Sequence, residues 1–275
     1  MGNLLKAFFF KLKSDLAFRI TLLVGVGLAI FMTALFGIID YLALKTADPG
    51  DVVIRFCTGQ CLFAFSLVPT SNYGLAIPIN LMTFVVMEFT HGTIRNKIIA
   101  GNSKFKVYLG LFIGGIIFSF FLIGIYSLIC LGLGSIIGGF DFNGAMLAGM
   151  SFGLGTPEFF VKYLIVAIFV YIFIAAMSVF FATLFRNVGP ALPCVLITIF
   201  ALYFVSTFLA GINETFEAVL RFVNPLHSLS YITTGSTGHF EMPTLAFVGA
   251  IVSNSVFVIL FFTLGAVIFK KSDVK

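Results

Sequence analysis

Charge is what this sequence has least of. Only 10% of its 275 residues are Asp, Glu, Lys or Arg and 60% are hydrophobic, whereas ordinary soluble domains carry about 25% charged residues. Mean hydropathy is +1.14. So large an apolar excess cannot be buried in one soluble core of this size, so much of the surface must face lipid. The composition excludes a soluble domain and predicts an integral membrane protein.

Other absences narrow the chemistry. The four cysteines are Cys57, Cys61, Cys130 and Cys194. Cys130 and Cys194 sit inside apolar runs as small packing residues. Cys57 and Cys61, four apart, can share a helix face, but no second Cys or His pair accompanies them, which argues against a metal site or disulfide framework. His91, His227 and His239 are scattered over loops, and neither H-E-x-x-H nor G-x-S-x-G occurs, so no catalytic centre is expected. No G-x-x-x-x-G-K-[ST] phosphate loop is present; Gly101-Asn102-Ser103-Lys104 has the right residue types in the wrong order and spacing. Within the apolar runs the ionisable side chain that stands out is Asp40. Ion-coupled carriers place such groups at membrane depth, and their scarcity argues against a self-sufficient carrier of that kind.

The apolar residues form six runs, at 20–44, 61–87, 107–137, 159–185, 188–210 and 244–269. Each exceeds the roughly 20 residues that a helix needs to cross the hydrocarbon core. The second run contains Pro69 and Pro78, which predict either a kink or a short outer helix followed by a span. Ahead of the first run, residues 3–18 place Leu5, Phe8, Phe9, Leu12 and Leu16 at helical spacing on one face. That pattern predicts an interfacial helix with its lysines near anionic headgroups. Residues 138–157 read as a Gly-rich outer loop. Residues 211–243, with Asn224-Pro225, read as an outer segment that gates or first meets a substrate.

Orientation follows from the basic residues. With the N-terminus inside, the inner segments hold Lys6, Lys11, Lys13, Arg19, Arg95, Lys97, Lys104, Lys106, Arg186, Lys270, Lys271 and Lys275, which is 12 of the 16 Lys and Arg. Lys45, Arg55, Lys162 and Arg221 fall outside. Both termini are therefore expected in the cytoplasm. The net charge of +5 is accounted for by this topology, and no nucleic-acid partner is expected.

The densest polar block is 88–106, between the second and third spans. Two further sets invite attention. Gln60, Asn72, Tyr73 and Asn80 are candidates for lining a translocation path, the alternative being hydrogen bonds between helices. The 37 phenylalanines read as lipid-facing and interhelical packing in preference to an apolar substrate path.

In 88–106, Glu88 at the end of a span is followed by Gly92-Thr93, then Arg95 and Lys97, then Gly101 and Ser103-Lys104. This order resembles the E-x-x-x-G-T…G-x-S-[RK] pattern of the membrane-spanning subunits of ABC-2-type ABC transporters, with Lys104 where arginine is commoner. The six-span plan with an interfacial N-terminal helix resembles them too, over nearly the whole chain. Length and character are similar to bacterial permeases that export antimicrobial peptides or confer immunity to them. The resemblance implies a multi-pass protein of the bacterial cell membrane and a second permease, identical or homologous. It also implies two cytoplasmic ATPase subunits, which bind ATP and Mg²⁺ while this chain binds no cofactor.

On that reading 88–106 is the segment that couples to the ATPase. Glu88, Gly92, Thr93, Ile94, Arg95, Lys97, Ile98, Gly101, Ser103 and Lys104 carry it. A two-turn helix offers Ile94, Ile98 and Ile99 to a groove, Arg95 and Lys97 meet acidic residues at its rim, and Gly92 and Gly101 turn the backbone sharply. The residues leave other readings open: a positive loop that only sets topology, an autonomous six-span channel or facilitator, or an immunity protein that transports nothing.

Overall fold

The structure, a computed structural model, describes residues 2–46, 56–70, 72–140, 145–147, 150–152, 157–210, 212, 219–220, 224–226, 229 and 244–272. The chain is an all-α integral membrane protein, with six helices long and apolar enough to span a bilayer. The helices are α1 (Gly2–Ser14), α2 (Leu16–Thr46), α3 (Gly59–Ser66), α4 (Ala76–Thr90), α5 (Thr93–Ile99), α6 (Lys104–Gly138), α7 (Pro157–Phe185), α8 (Val188–Ala210) and α9 (Thr244–Lys271). In the loop expected to be merely Gly-rich, Ala145–Leu147 pairs antiparallel with Met150–Phe152 as a short hairpin. The outer segment 211–243, including His227 and His239, lies almost wholly outside the described residues. Asn224 is one described position there. Its amide donates to the Leu202 carbonyl of α8 at 2.7 Å and its Oδ1 accepts from Leu226 N at 3.0 Å.

The elbow between α1 and α2 is written in its residues. Asp15 stands at the N-cap of α2, its Oδ1 accepting from the Phe18 N–H at 3.0 Å. Arg19 reaches back and donates from Nε and Nη2 to the Lys13 carbonyl at 2.9 and 2.7 Å, closing the end of α1. This break corrects the amphipathic face expected of α1. Phe8 and Leu12 are buried while Phe9, at the edge of that face, is exposed, and Leu16 is exposed because it belongs to α2, the helical register restarting at Asp15. The Leu5 side chain lies outside the described residues. Phe8 lies over Gly114 of α6 and meets Phe84 of α4 edge-on, with centroids 5.2 Å apart.

The second apolar run resolves into a short helix, a break and a span. α3 is followed by residues 67–70 around Pro69, a 3-10 turn over Asn72–Leu75, and α4. Pro78 does not break α4, since it occupies the first turn, where its missing N–H has no intrahelical partner. Backbone groups freed at such a break cannot turn to water in the hydrocarbon core and need partners from within the bundle. Ahead of α3, Asp40, 6% exposed at the far end of α2, accepts from the N–H groups of Phe56 and Cys57 at 2.8 and 2.7 Å. From α7, Tyr163 donates to the Ala64 carbonyl at 3.1 Å and Tyr171 to the Leu67 carbonyl at 3.2 Å.

α4 and α7 form the interior of the bundle, while α2, α8 and α9 leave most of their apolar surface outward. Aromatic rings fill the seams. Phe173 packs against Phe257 and Phe261, and Tyr108 against Phe262 and Phe269. Both described chain ends meet the 88–106 segment at one end of the bundle: Lys11 of α1 contacts Glu88, and Lys104 contacts Lys270 and Ser272.

Tyr171→Phe deletes one donor to the broken span. It should destabilise the protein by about 1 kcal/mol, seen as a lower thermal midpoint in detergent, whereas Tyr41→Phe, at a position 66% exposed, should leave the midpoint unchanged.

Candidate functional site

The 88–106 segment folds around one carboxylate. Glu88 is 1% exposed although it sits near the end of a span. Its Oε1 accepts from Lys11 Nζ of α1 at 2.7 Å, and its Oε2 accepts from Lys97 Nζ of α5 at 2.7 Å. The Thr93 hydroxyl lies 2.7 Å from the same Oε2 and 2.8 Å from the Glu88 carbonyl, a donor to either. Lys11 also lies 4.7 Å above the Phe84 ring. A buried carboxylate is costly unless charge and hydrogen bonds meet it. Here two ammonium groups and a hydroxyl do so, and each comes from a different turn or helix.

The local sequence explains why α5 lies where it does. Gly92 (φ 67°) and Gly101 (φ 88°) both occupy the left-handed region, which costs an L-residue with a Cβ roughly 1 kcal/mol. They bracket a seven-residue helix. Ser103 caps α6, its hydroxyl accepting from the Lys106 N–H at 3.4 Å. The Asn102 amide donates to the Lys97 carbonyl at 2.9 Å.

Several residues expected to face a partner do otherwise. Ile94 is 0% exposed and packs inward, because helical spacing puts it on the face of α5 that meets the bundle. Lys97 is spent on Glu88 instead of a partner's acid. Lys104 donates to the Lys270 and Ser272 carbonyls at 3.3 and 2.9 Å, where a cation offsets the unpaired carbonyls and negative end of α9. Ile98 is half-buried. What α5 presents outward is Arg95, Asn96 and Ile99, the last 72% exposed.

The four path candidates also separate. Tyr73 and Asn80 converge on Thr21 of α2: the Tyr73 hydroxyl donates to the Thr21 carbonyl at 2.8 Å, and Thr21 Oγ1 lies 2.8 Å from Asn80 Oδ1. These are hydrogen bonds between helices, the alternative to a path. Gln60 is fully buried in α3, and the Asn72 side chain lies outside the described residues.

Sequence reasoning missed Lys11 as a site residue and assigned it to lipid headgroups. The available signal was its place on the flank of the Phe8–Leu12 face, together with an acid at the end of α4 that needed a cation. A second tight turn, at Arg186 and Asn187, stands beside the site. Arg186 adopts φ 52° and lies 5.7 Å from the Phe89 ring centre.

Fold and site together define a polytopic α-helical membrane protein with a charge-clamped loop helix at the end of the bundle where the described chain ends gather. No protein-family model matches the chain, and no curated protein matches it significantly.

Glu88→Gln keeps the size of the side chain but removes the charge that holds both lysines, costing about 2 kcal/mol of clamp. Limited trypsin digestion in detergent should cut after Arg95 and Lys97 roughly thirtyfold faster than in the parent. An unchanged rate would show that α5 is held by its apolar face alone.

Proposed function

We propose that this chain is the permease subunit of an ATP-driven ABC-2-type transporter in a bacterial cell membrane. Its cargo is a peptide antibiotic, a lipid or another amphiphile. Two such permeases, identical or homologous, enclose the path, and two cytoplasmic ATPase subunits drive alternating access. The end of the bundle that gathers α1, α5 and Lys270 is the cytoplasmic end, in keeping with the excess of basic residues there.

One observation carries this reading. α5 is a two-turn helix projecting from the end of the bundle, clamped at its base by Glu88 to α4 and α1, with Arg95, Asn96 and Ile99 turned outward. A loop whose only task was topology would need positive charge alone. This one has a buried carboxylate, two left-handed glycines and a helix cap, all fixing the position of one short exposed face. Arg95 and Ile99 are four apart and so adjacent on that face. They offer a cation and an apolar anchor to a groove with an acidic rim. The six apolar spans support a transmembrane role in general terms, and energy for it would come from the partner, since the sequence carries no phosphate loop.

Affinity purification from native membranes should bring down a cytoplasmic ATPase. The pair Arg95→Ala and Ile99→Ala should weaken its retention by at least about tenfold. Ile94→Ala should act differently, lowering thermal stability first because that side chain is buried. Undiminished retention in the Arg95/Ile99 pair would sink the coupling role, and ATP-independent flux through liposomes holding this chain alone would favour a facilitator.

A further inference from the structure

Beside the clamp, a pocket of about 250 Å³ opens between the α1–α2 elbow and the end of α4. Its inner wall is aromatic: Phe18, Phe84 and Phe118 line it, with ring centroids 5.2 Å apart for Phe18–Phe118 and 5.6 Å for Phe84–Phe118. Besides Lys11 its polar lining is Asp15, Asn80, Thr83 and His91; Asn80 and Thr83 hydrogen-bond within the bundle, to Thr21 and Ala76 and to the Ile79 carbonyl, which leaves Asp15 and His91 for a ligand. Asp15 is half-buried, and among the described residues no cation pairs with it. One of its oxygens caps α2. Lys11, one turn away, is committed to Glu88.

A carboxylate held partly out of water without a counter-charge favours a cation brought by a ligand. An aromatic wall beneath it adds a site for an alkyl chain and a weak attraction for an ammonium group. The elbow residue Leu16 and the α4 residue Met87, both lining the pocket, are exposed apolar side chains at its mouth, the kind of surface that lipid covers. A volume of about 250 Å³ suits the first part of one acyl chain and not a whole lipid.

We propose that this pocket binds a phospholipid with an amine headgroup, phosphatidylethanolamine being the chemical type, from the leaflet on the side of the chain ends. The ammonium pairs with Asp15, the phosphate accepts from His91, and the start of one acyl chain lies on Phe18, Phe84 and Phe118. The assignment stands independently of the ATPase reading, since it rests on the elbow, α4 and Phe118 of α6 and not on the outward face of α5. It also places the lipid against Lys11, the cation that holds Glu88, so occupancy and the clamp share a wall.

The sequence has no tryptophan, so Met87→Trp supplies a single fluorescent reporter at the rim. In vesicles, phosphatidylethanolamine with brominated acyl chains should quench it at roughly tenfold lower mole fraction than brominated phosphatidylglycerol, the advantage of one charge-assisted contact. Adding Asp15→Asn, which keeps an oxygen for the Phe18 N–H, should erase that preference while thermal stability is retained. Equal quenching by both lipids, or a preference untouched by Asp15→Asn, would make the contact ordinary annular lipid and overturn the proposal. Absence of quenching by either lipid would overturn it as well.

Discussion

A carboxylate buried at the end of a membrane span is the constraint around which this end of the molecule is organised. Glu88 has almost no access to water, so leaving it unpaired would cost several kcal/mol. That cost fixes the partners. Lys11 must come from α1, which holds α1 against α4, and Lys97 must come from α5, which holds the loop helix against the bundle. The aromatic contact of Phe8 with Phe84 and the inward packing of Ile94 supply the apolar side of the same arrangement. Charge sets the register of three helices, and packing follows it.

The opposite end obeys the same rule with different groups. There the N–H groups that lead into α3 are met by Asp40 from α2, and deeper in the bundle the carbonyls at the break of the second span are met by two tyrosines from α7. Asp40 is thus engaged as a backbone acceptor, the role a carboxylate takes where N–H groups are presented without helix partners. Its position in an otherwise uncharged span is explained structurally and requires no transported ion.

Much of this was legible in the sequence because membrane spans are set by length and hydropathy alone. The six apolar runs became six spans, and the glycines flanking α5 do occupy left-handed conformations. What could not be read was which way side chains turn. Helical spacing put Leu16 on the α1 face because nothing in the periodicity announces the break at Asp15, although Asp15 and Arg19 are what produce it. Ile94 and Ile99 are both isoleucines of one short helix, and only the tertiary contact distinguishes the buried one from the exposed one. Lys104 looked like part of a docking surface, yet its partner lies 166 residues further along the chain. Such pairings carry no local signal. Tyr73 and Asn80 were ambiguous for the same reason, since a polar side chain within a span serves a path or a neighbouring helix equally well until the neighbour is known.

The placement of these residues divides the 88–106 segment into two layers. Glu88, Gly92, Thr93, Lys97, Gly101, Ser103 and Lys104 build the loop and are mostly engaged inward. Arg95, Asn96 and Ile99 are left outward. The segment is tied at both ends to different helices, through Glu88 to α1 and α4 and through Lys104 to α9. Charge-assisted hydrogen bonds of this kind are each worth about 1.5–3 kcal/mol, several times thermal energy, so α5 cannot shift far without carrying its attachments. On the proposed function, a displacement imposed on Arg95 and Ile99 would therefore reach the N-terminal elbow, the broken second span and the last span together. A loop held only by its covalent ends would absorb the same displacement by bending.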